Sequence, residues 1–301
     1  MQKVLITGGT IFVSKYIAKF FLDCGNDVYV LNRGTHSQID NVKLIQADRH
    51  NNLKEVLKEY NFDVIIDVTA YTGQDVSILL DALNDFKEYI LISSSAVYPE
   101  NLKQPFKETL TIGENKIWGQ YGLGKIQAEE VLLQRVPSAY IFRPPYLYGP
   151  MNNVYREAFV FDCAENNRKF YLPEDGKMQL QFFYIEDLCK CIKSVLSKHP
   201  KQHIFNVGNK DTISIRDWVS MCYKVVGKEP EFIEIYSEKD YRKFFSFYNY
   251  EYKLDTMEQN ELIREITSME HGLKEAYLWY KNNKETVNRK EYMKFIDENF
   301  K

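Results

Sequence analysis

Tyr121 and Lys125 stand four residues apart in Tyr121-Gly-Leu-Gly-Lys125. On a helix this spacing puts a phenol and an ammonium on one face. A nearby ammonium, helped by an oxidised nicotinamide, favours phenolate and lowers the tyrosine pKa. Such a tyrosine can take a proton from a hydroxyl while hydride leaves the same carbon. Spacing alone does not discriminate, because Tyr277/Lys281 and Tyr280/Lys284 repeat it in a chain with 22 tyrosines. Those later pairs share a segment with Leu273, Ala276 and Trp279 and read as packing and solvated surface. Position favours Tyr121. An apolar run, Tyr89–Ile92, ends in Ser93, Ser94 and Ser95, and a hydroxyl there can orient a reacting oxygen. Near the start, Val4-Leu-Ile6 leads into Thr7-Gly8-Gly9-Thr10, followed by Phe12, Tyr16, Ile17, Phe20 and Phe21 near helical spacing. Strand, glycine turn and helix hold a dinucleotide pyrophosphate through backbone N–H groups and the positive helix N-terminus. The bland alternative is an ordinary tight turn. In a Gly-x-x-Gly-x-x-Gly pattern only Gly8 is retained, with Ile11 and Ser14 in the other two places.

The elements that would position these residues alternate. Strand-like runs cover 27–31, 42–46, 63–69, 88–93 and 139–143, and helix-like segments cover 11–24, 51–60, 74–86 and 121–135. Near-continuous apolar strands such as Val64-Ile-Ile-Asp-Val68 suit a parallel sheet covered on both faces. The expected fold is α/β, a Rossmann-like doubly wound parallel sheet. Residues 1–150 would form the NAD(P)-binding domain. Residues 151–301 would form a smaller α/β substrate-binding region, with some elements returning to the main sheet. There the strand-like runs are 182–185, 203–207 and 232–235, with helices at 186–197, 215–226 and 270–282.

Composition narrows the function classes. The 301 residues are 45% hydrophobic, enough for a substantial core, and carry a net charge of −3. No global positive field draws the chain to nucleic acid or anionic membrane. No apolar run approaches the roughly 18–20 residues of a membrane span, and the N-terminus does not read as a signal peptide. The five cysteines, Cys24, Cys163, Cys189, Cys191 and Cys222, contain no Cys-x-x-Cys and suit reduced, buried thiols in a cytoplasm. The histidines show no ligand spacing, so no metal is expected.

Taken in order, these motifs resemble the extended short-chain dehydrogenase/reductase superfamily, the NAD(P)-dependent epimerase/dehydratase family, over nearly the whole chain. Thr7–Thr10 is similar to the family's opening, and Ser93-Ser-Ser-Ala-Val-Tyr98 to its strand-end serine. Arg143-Pro-Pro-Tyr-Leu-Tyr-Gly-Pro150 is similar to its Arg-Pro…Tyr-Gly-Pro stretch. Phe183–Leu188, Phe205–Asn209 and Gly272–Ala276 resemble later landmarks. The resemblance implies Ser94, Tyr121 and Lys125 as catalytic residues. It implies a cofactor site at Gly8, Gly9, Thr10, Ile11, Phe12, Asn32, Arg33, Asp48, Thr69, Ala70, Tyr71 and Pro144, with Lys125 and Tyr121 also at the cofactor. Asp48 takes the adenine-contacting position. Ser95, Tyr146, Arg156 and Arg242 are candidates for substrate.

The missing glycines are similar to an atypical branch that includes chloroplast stem-loop RNA-binding proteins. At the second strand end, where an acidic residue would bind the ribose hydroxyls of NAD, the chain has Leu31-Asn32-Arg33-Gly34. Arg33 can pair with a 2′-phosphate, so NADP is favoured slightly over NAD. The family's diphosphate-binding arginine is absent from Met178–Gln181. Arg156 and Arg242 are its candidate replacements. The implied activity is an epimerase or reductase acting on a sugar or nucleotide-sugar hydroxyl or carbonyl. A dehydratase is disfavoured, because Ser95 and Ala96 stand where it would carry a carboxylate pair. The alternative is a non-catalytic nucleotide- or RNA-binding protein on the same fold. A homodimer through helices like 74–86 and 121–135 would follow the superfamily's habit.

Overall fold

The computed structural model describes residues 1–300. Side-chain alternation builds its centre. In β1 (Lys3–Thr7), Val4 and Ile6 join one buried cluster while Leu5 joins another. The same division holds in β4 (Val64–Asp67), where Val64 and Ile66 oppose Ile65, and in β5 (Glu88–Ile92), where Ile90 and Ile92 oppose Tyr89 and Leu91. Strands apolar on both faces need cover on both. With β2 (Asp27–Asn32), β3 (Lys43–Gln46), β6 (Tyr140–Arg143) and a late strand, Ile204–Asn206, they form a seven-stranded sheet in which every pairing is parallel. From one edge the order is β3, β2, β1, β4, β5, β6 and the late strand. The chain therefore reverses direction across the sheet between β1 and β4. The crevice above that switch point is where such sheets bind ligands.

Helix α1 (Phe12–Asp23) covers one face. The other carries α2 (Leu53–Leu57), α3 (Gly73–Ala82) and α4 (Gln120–Arg135), with α3 packed along α4. Thr72 caps α3 reciprocally with Asp75, satisfying two otherwise orphaned donors. The sequence-based strand and helix positions of the first half hold to within a few residues, except that α2 is much shorter than 51–60.

Beyond residue 143 the chain forms β7 (Tyr146–Tyr148), α5 (Glu157–Glu165), β8 (Phe170–Pro173), β9 (Gln179–Leu180), β10 (Phe182–Tyr184), α6 (Ile185–Lys198) and β11, the late sheet strand. Then come β12 (Ile213–Ser214), α7 (Ile215–Val226), β13 (Phe232–Ile235), α8 (Met269–Lys281) and α9 (Tyr292–Asn299). Small two-stranded pairings join β7 to β10, β8 to β13 and β9 to β12. Helix α6 packs against α1, so this half shares one core with the first. That core is aromatic. Phe182 stacks on Trp218 at 5.4 Å, and Phe247 meets both edge-on. Four cysteines are buried as expected, but Cys24 ends α1 at the surface and is exposed. Among the described residues no helix is long and apolar enough to cross a membrane.

Candidate active site and cofactor cleft

The glycine turn is built for close backbone approach. Gly8 and Gly9 sit at φ +93° and +88°, a region that disfavours any side chain. A Cβ on Gly9 would lie 2.3 Å from Cγ1 of Val30 in β2, so the turn and the neighbouring strand fit only without one. Helix α1 starts from Ile11 with no side-chain cap, which leaves first-turn N–H groups for an incoming acceptor. Phe12, its first residue, is held at φ +31°, an uncommon conformation that marks local strain. Ile11 is 46% exposed and lines the cleft between Thr10 and Phe12, and Ser14 donates its hydroxyl to the Ile11 carbonyl at 3.1 Å. These residues fit a dinucleotide pyrophosphate.

A cavity of about 470 Å³ runs from this turn past Thr69 and Tyr71 to Ser94, Tyr121 and Lys125. Helix α4 approaches closely because a Cβ at Gly124 would lie 2.1 Å from the Tyr71 carbonyl. Glycine inside a helix costs roughly 1 kcal/mol against alanine. Here it lets the helix lie against the β4–α3 turn, with Lys125 reaching between two strand ends. The Lys125 ammonium donates to the carbonyls of Ala70 and Ile92, each at 2.8 Å. Two of its three donors are therefore committed, and one remains for the cavity. Burial pushes its pKa down to about 8, against the opposing pull of Asp67 and Glu129. Ser94 lines the cavity, and its oxygen accepts from the Ala96 N–H at 3.2 Å.

Desolvation of the Tyr121 phenol raises its pKa, and a hydrogen bond with Ser94 pulls it partly back. The Lys125 ammonium is turned to its two backbone carbonyls.

A smaller cavity of about 340 Å³, on the side expected for the adenosine, meets the first at Gly8, Thr69 and Tyr71. Asn32, Arg33 and Asp48 line it. The Asn32 amide donates to the Gly8 carbonyl at 2.7 Å, and its oxygen accepts from the Gly34 N–H at 2.8 Å. Asn32 thus braces the glycine turn in the place expected for an acid. Arg33 is exposed and pairs with no carboxylate among the described residues. Ala70 contributes its carbonyl to Lys125 and lines neither cavity, and Gly9 packs behind the turn.

The substrate-side candidates divide. Arg156 lines the larger cavity, as does Pro144 of the expected cofactor site. Ser95 does not. It opens a 3-10 turn, Ser95–Val97, that Ser94 caps, and there it is buried and donates to the Tyr252 hydroxyl at 3.0 Å. Tyr146 lies behind the wall with an unpartnered hydroxyl, under the Arg156 guanidinium at 5.0 Å from its ring centre. Burial raises its pKa to about 12, with Arg156 and Arg242 opposing. Arg242 is exposed, stacks on Tyr248 and lines a separate cavity with Lys290 and Lys294.

Two buried ion pairs escaped the sequence reading. Glu129 follows Lys125 by one helical turn and binds Arg143 at 2.5 Å, with both side chains at most 3% exposed. Ser93 donates to the same carboxylate, and Arg143 donates to the Tyr98 hydroxyl at 2.8 Å. The pair ties α4 to the ends of β5 and β6, directly under Ser94. The spacing of Tyr121, Lys125 and Glu129 on one face was the available signal. Arg49 pairs with Asp67 beneath the adenosine cavity.

Comparison with known proteins gives a consistent family. The profile of the NAD dependent epimerase/dehydratase family matches residues 4–208. Chloroplast stem-loop binding protein of 41 kDa b from Arabidopsis thaliana is 25% identical over 82% of this chain and 70% of its own length. A putative UDP-glucose 4-epimerase from Methanocaldococcus jannaschii is 24% identical over 94% of this chain and all of its own. The fold matches that of UDP-glucuronic acid 4-epimerase from Bacillus cereus, solved in complex with UDP-glucuronic acid and NAD. The TM-score is 0.73, with 19% identity over 93% of this chain and 99% of that one.

Proposed function

The chain belongs to the NAD dependent epimerase/dehydratase family, and from that premise we propose that it binds NAD or NADP and acts as an epimerase or reductase on a nucleotide sugar. The observation that carries this reading is the meeting of Ser94, Tyr121 and Lys125 along one cavity that continues to the glycine turn.

The residues divide the work as follows. Gly8, Gly9 and Thr10 with the first turn of α1 hold the pyrophosphate. Asp48 faces the adenine, and the free Arg33 favours NADP through its 2′-phosphate. Lys125, mostly charged at neutral pH, offers its remaining N–H to a ribose hydroxyl. Ser94 accepts or donates at the reacting oxygen and orients it. Tyr121 takes the proton from the substrate hydroxyl and returns it in the reverse direction. When bound, the oxidised dinucleotide supplies the hydride acceptor and a positive charge beside the phenol. Arg156, with one bond to the Leu147 carbonyl and no carboxylate partner among the described residues, is placed to meet a substrate diphosphate. No carboxylate lines this cavity among the described residues, which favours epimerase or reductase over dehydratase chemistry. The test is turnover of a panel of UDP- and dTDP-sugars with added dinucleotide. Tyr121→Phe should reduce turnover by about 100-fold or more while dinucleotide affinity is kept. Undiminished turnover in that variant overturns the proposal.

A further inference from the structure

Arg49 sits at the end of β3 beside the adenosine cavity, yet its side chain is only 9% exposed. Its guanidinium grips Asp67 with both terminal nitrogens, at 2.6 and 3.2 Å. It also reaches the Thr69 hydroxyl at 3.3 Å and the Asp75 carbonyl at 3.2 Å. Asp67 is wholly buried and accepts further hydrogen bonds from Thr7 at 2.7 Å and Tyr89 at 2.8 Å. The Thr7 hydroxyl in turn accepts the Val68 and Thr69 N–H groups, each at 3.0 Å. Beyond them, the N–H groups of Tyr71 and Thr72 end on the Asp75 carboxylate at 2.9 and 2.8 Å. The turn from Val68 to Thr72 is therefore fixed on both sides of Ala70. The Ala70 carbonyl in that turn is one of the two that hold the Lys125 ammonium.

We propose that Arg49 is a positioning residue for Lys125. Clamped on Asp67 and Thr69, it sets the turn whose Ala70 carbonyl decides where the ammonium meets a bound dinucleotide. The inference rests on the reading of Lys125 as a ligand of the nicotinamide-side ribose. A bidentate guanidinium suits the task, because its planar fork fixes orientation as well as distance, which an ammonium cannot. The arrangement also explains why so costly a pair is buried here. A buried pair is weak as a source of stability, and its attested use is to specify one arrangement.

The experiment is calorimetric binding of NADH and of ADP, which lacks the nicotinamide half. The proteins are wild type, Arg49→Lys, Lys125→Met, Arg49→Met/Asp67→Asn, and the last two combined. The double substitution removes both charges, so no buried charge is stranded. NADH affinity should fall about tenfold or more in Arg49→Met/Asp67→Asn, with ADP changed by less than about twofold. Arg49→Lys should recover only part of the loss. Added to Lys125→Met, the double substitution should weaken NADH by less than about a further twofold, because both act on the same contact. Unchanged NADH affinity in the folded double variant overturns the inference. So does equal weakening of ADP, which would place Arg49 at the adenosine end only, or a loss that multiplies with that of Lys125→Met. Where the wild type binds NADPH and not NADH, the same comparison is made with NADPH and 2′-phospho-ADP; failure of the wild type to bind either dinucleotide overturns the functional reading instead. If Lys125→Met weakens NADH while the Arg49 variants bind normally, only this inference falls.

Discussion

Replacing Gly9 with alanine should destabilise the protein by about 2–5 kcal/mol and disable the dinucleotide site. Two terms contribute. A β-carbon at positive φ costs roughly 1–2 kcal/mol, and Gly9 is held at +88°. The new methyl would also lie 2.3 Å from Val30 Cγ1 and 2.6 Å from Val30 Cβ. Overpacking of this kind typically costs about 1–3 kcal/mol. The second atom cannot swing away, because it is fixed to the backbone of β2 at the register position opposite Ile6. Relief is therefore graded. Val30→Ala removes the Cγ1 contact but leaves Cβ, whereas Val30→Gly removes both. Urea unfolding of Gly9→Ala, of each Val30 variant and of the combinations gives the coupling energies. Gly9→Ala/Val30→Gly should be more stable than additivity allows by about 1–3 kcal/mol, and the alanine combination by less. A Gly9→Ala protein within about 0.5 kcal/mol of wild type, or strictly additive effects at Val30, would refute the steric account of the turn.

Other perturbations follow from the same geometry. Lys125 has a folded pKa of about 8 against an ordinary 10.5, so between those values the unfolded chain binds the proton and the folded chain does not. The unfolding free energy should accordingly rise with pH across that window, by roughly 3 kcal/mol from this group, and thermal melts of Lys125→Met should lack the rise. Glu129→Gln strands the Arg143 guanidinium, whose side chain is 3% exposed. It should cost about 3–5 kcal/mol in denaturant unfolding, whereas Glu129→Leu/Arg143→Met should cost much less. Arg33→Ala should weaken NADPH by about tenfold and leave NADH nearly unchanged in parallel titrations; equal effects on both would remove Arg33 from 2′-phosphate recognition.

The parts of the site legible in the sequence are those whose signals are local. Val4-Leu-Ile6 before Gly8-Gly9 reads as strand and turn because period and conformational need lie within ten residues. Tyr121 and Lys125 are legible for the same reason. Arg49 was not, since nothing near it in the chain names its partner until the fold brings Asp67 to 2.6 Å. Ser95 was assigned to substrate because three adjacent serines look alike in sequence, and only the 3-10 turn after the strand leaves Ser94 at the cavity and Ser95 on Tyr252. Helix α5 was missed for a different reason. Glu157-Ala-Phe-Val-Phe-Asp-Cys-Ala lies between α7 and α8 and is buried on all sides, so no amphipathic period marks it. The short strand β7, with all three residues buried, likewise offers no alternation.

The central claim is tested most directly by calorimetric titration of nucleotide-stripped, folded protein with NAD, NADH, NADP and NADPH. Saturable binding of one dinucleotide pair, lost in Gly9→Ala and partly recovered in Gly9→Ala/Val30→Gly, is the expected result. It would show that a turn carrying Ile11 and Ser14 still holds a pyrophosphate. Absence of binding up to millimolar concentration of all four would contradict it and leave a protein of this fold that works without hydride transfer.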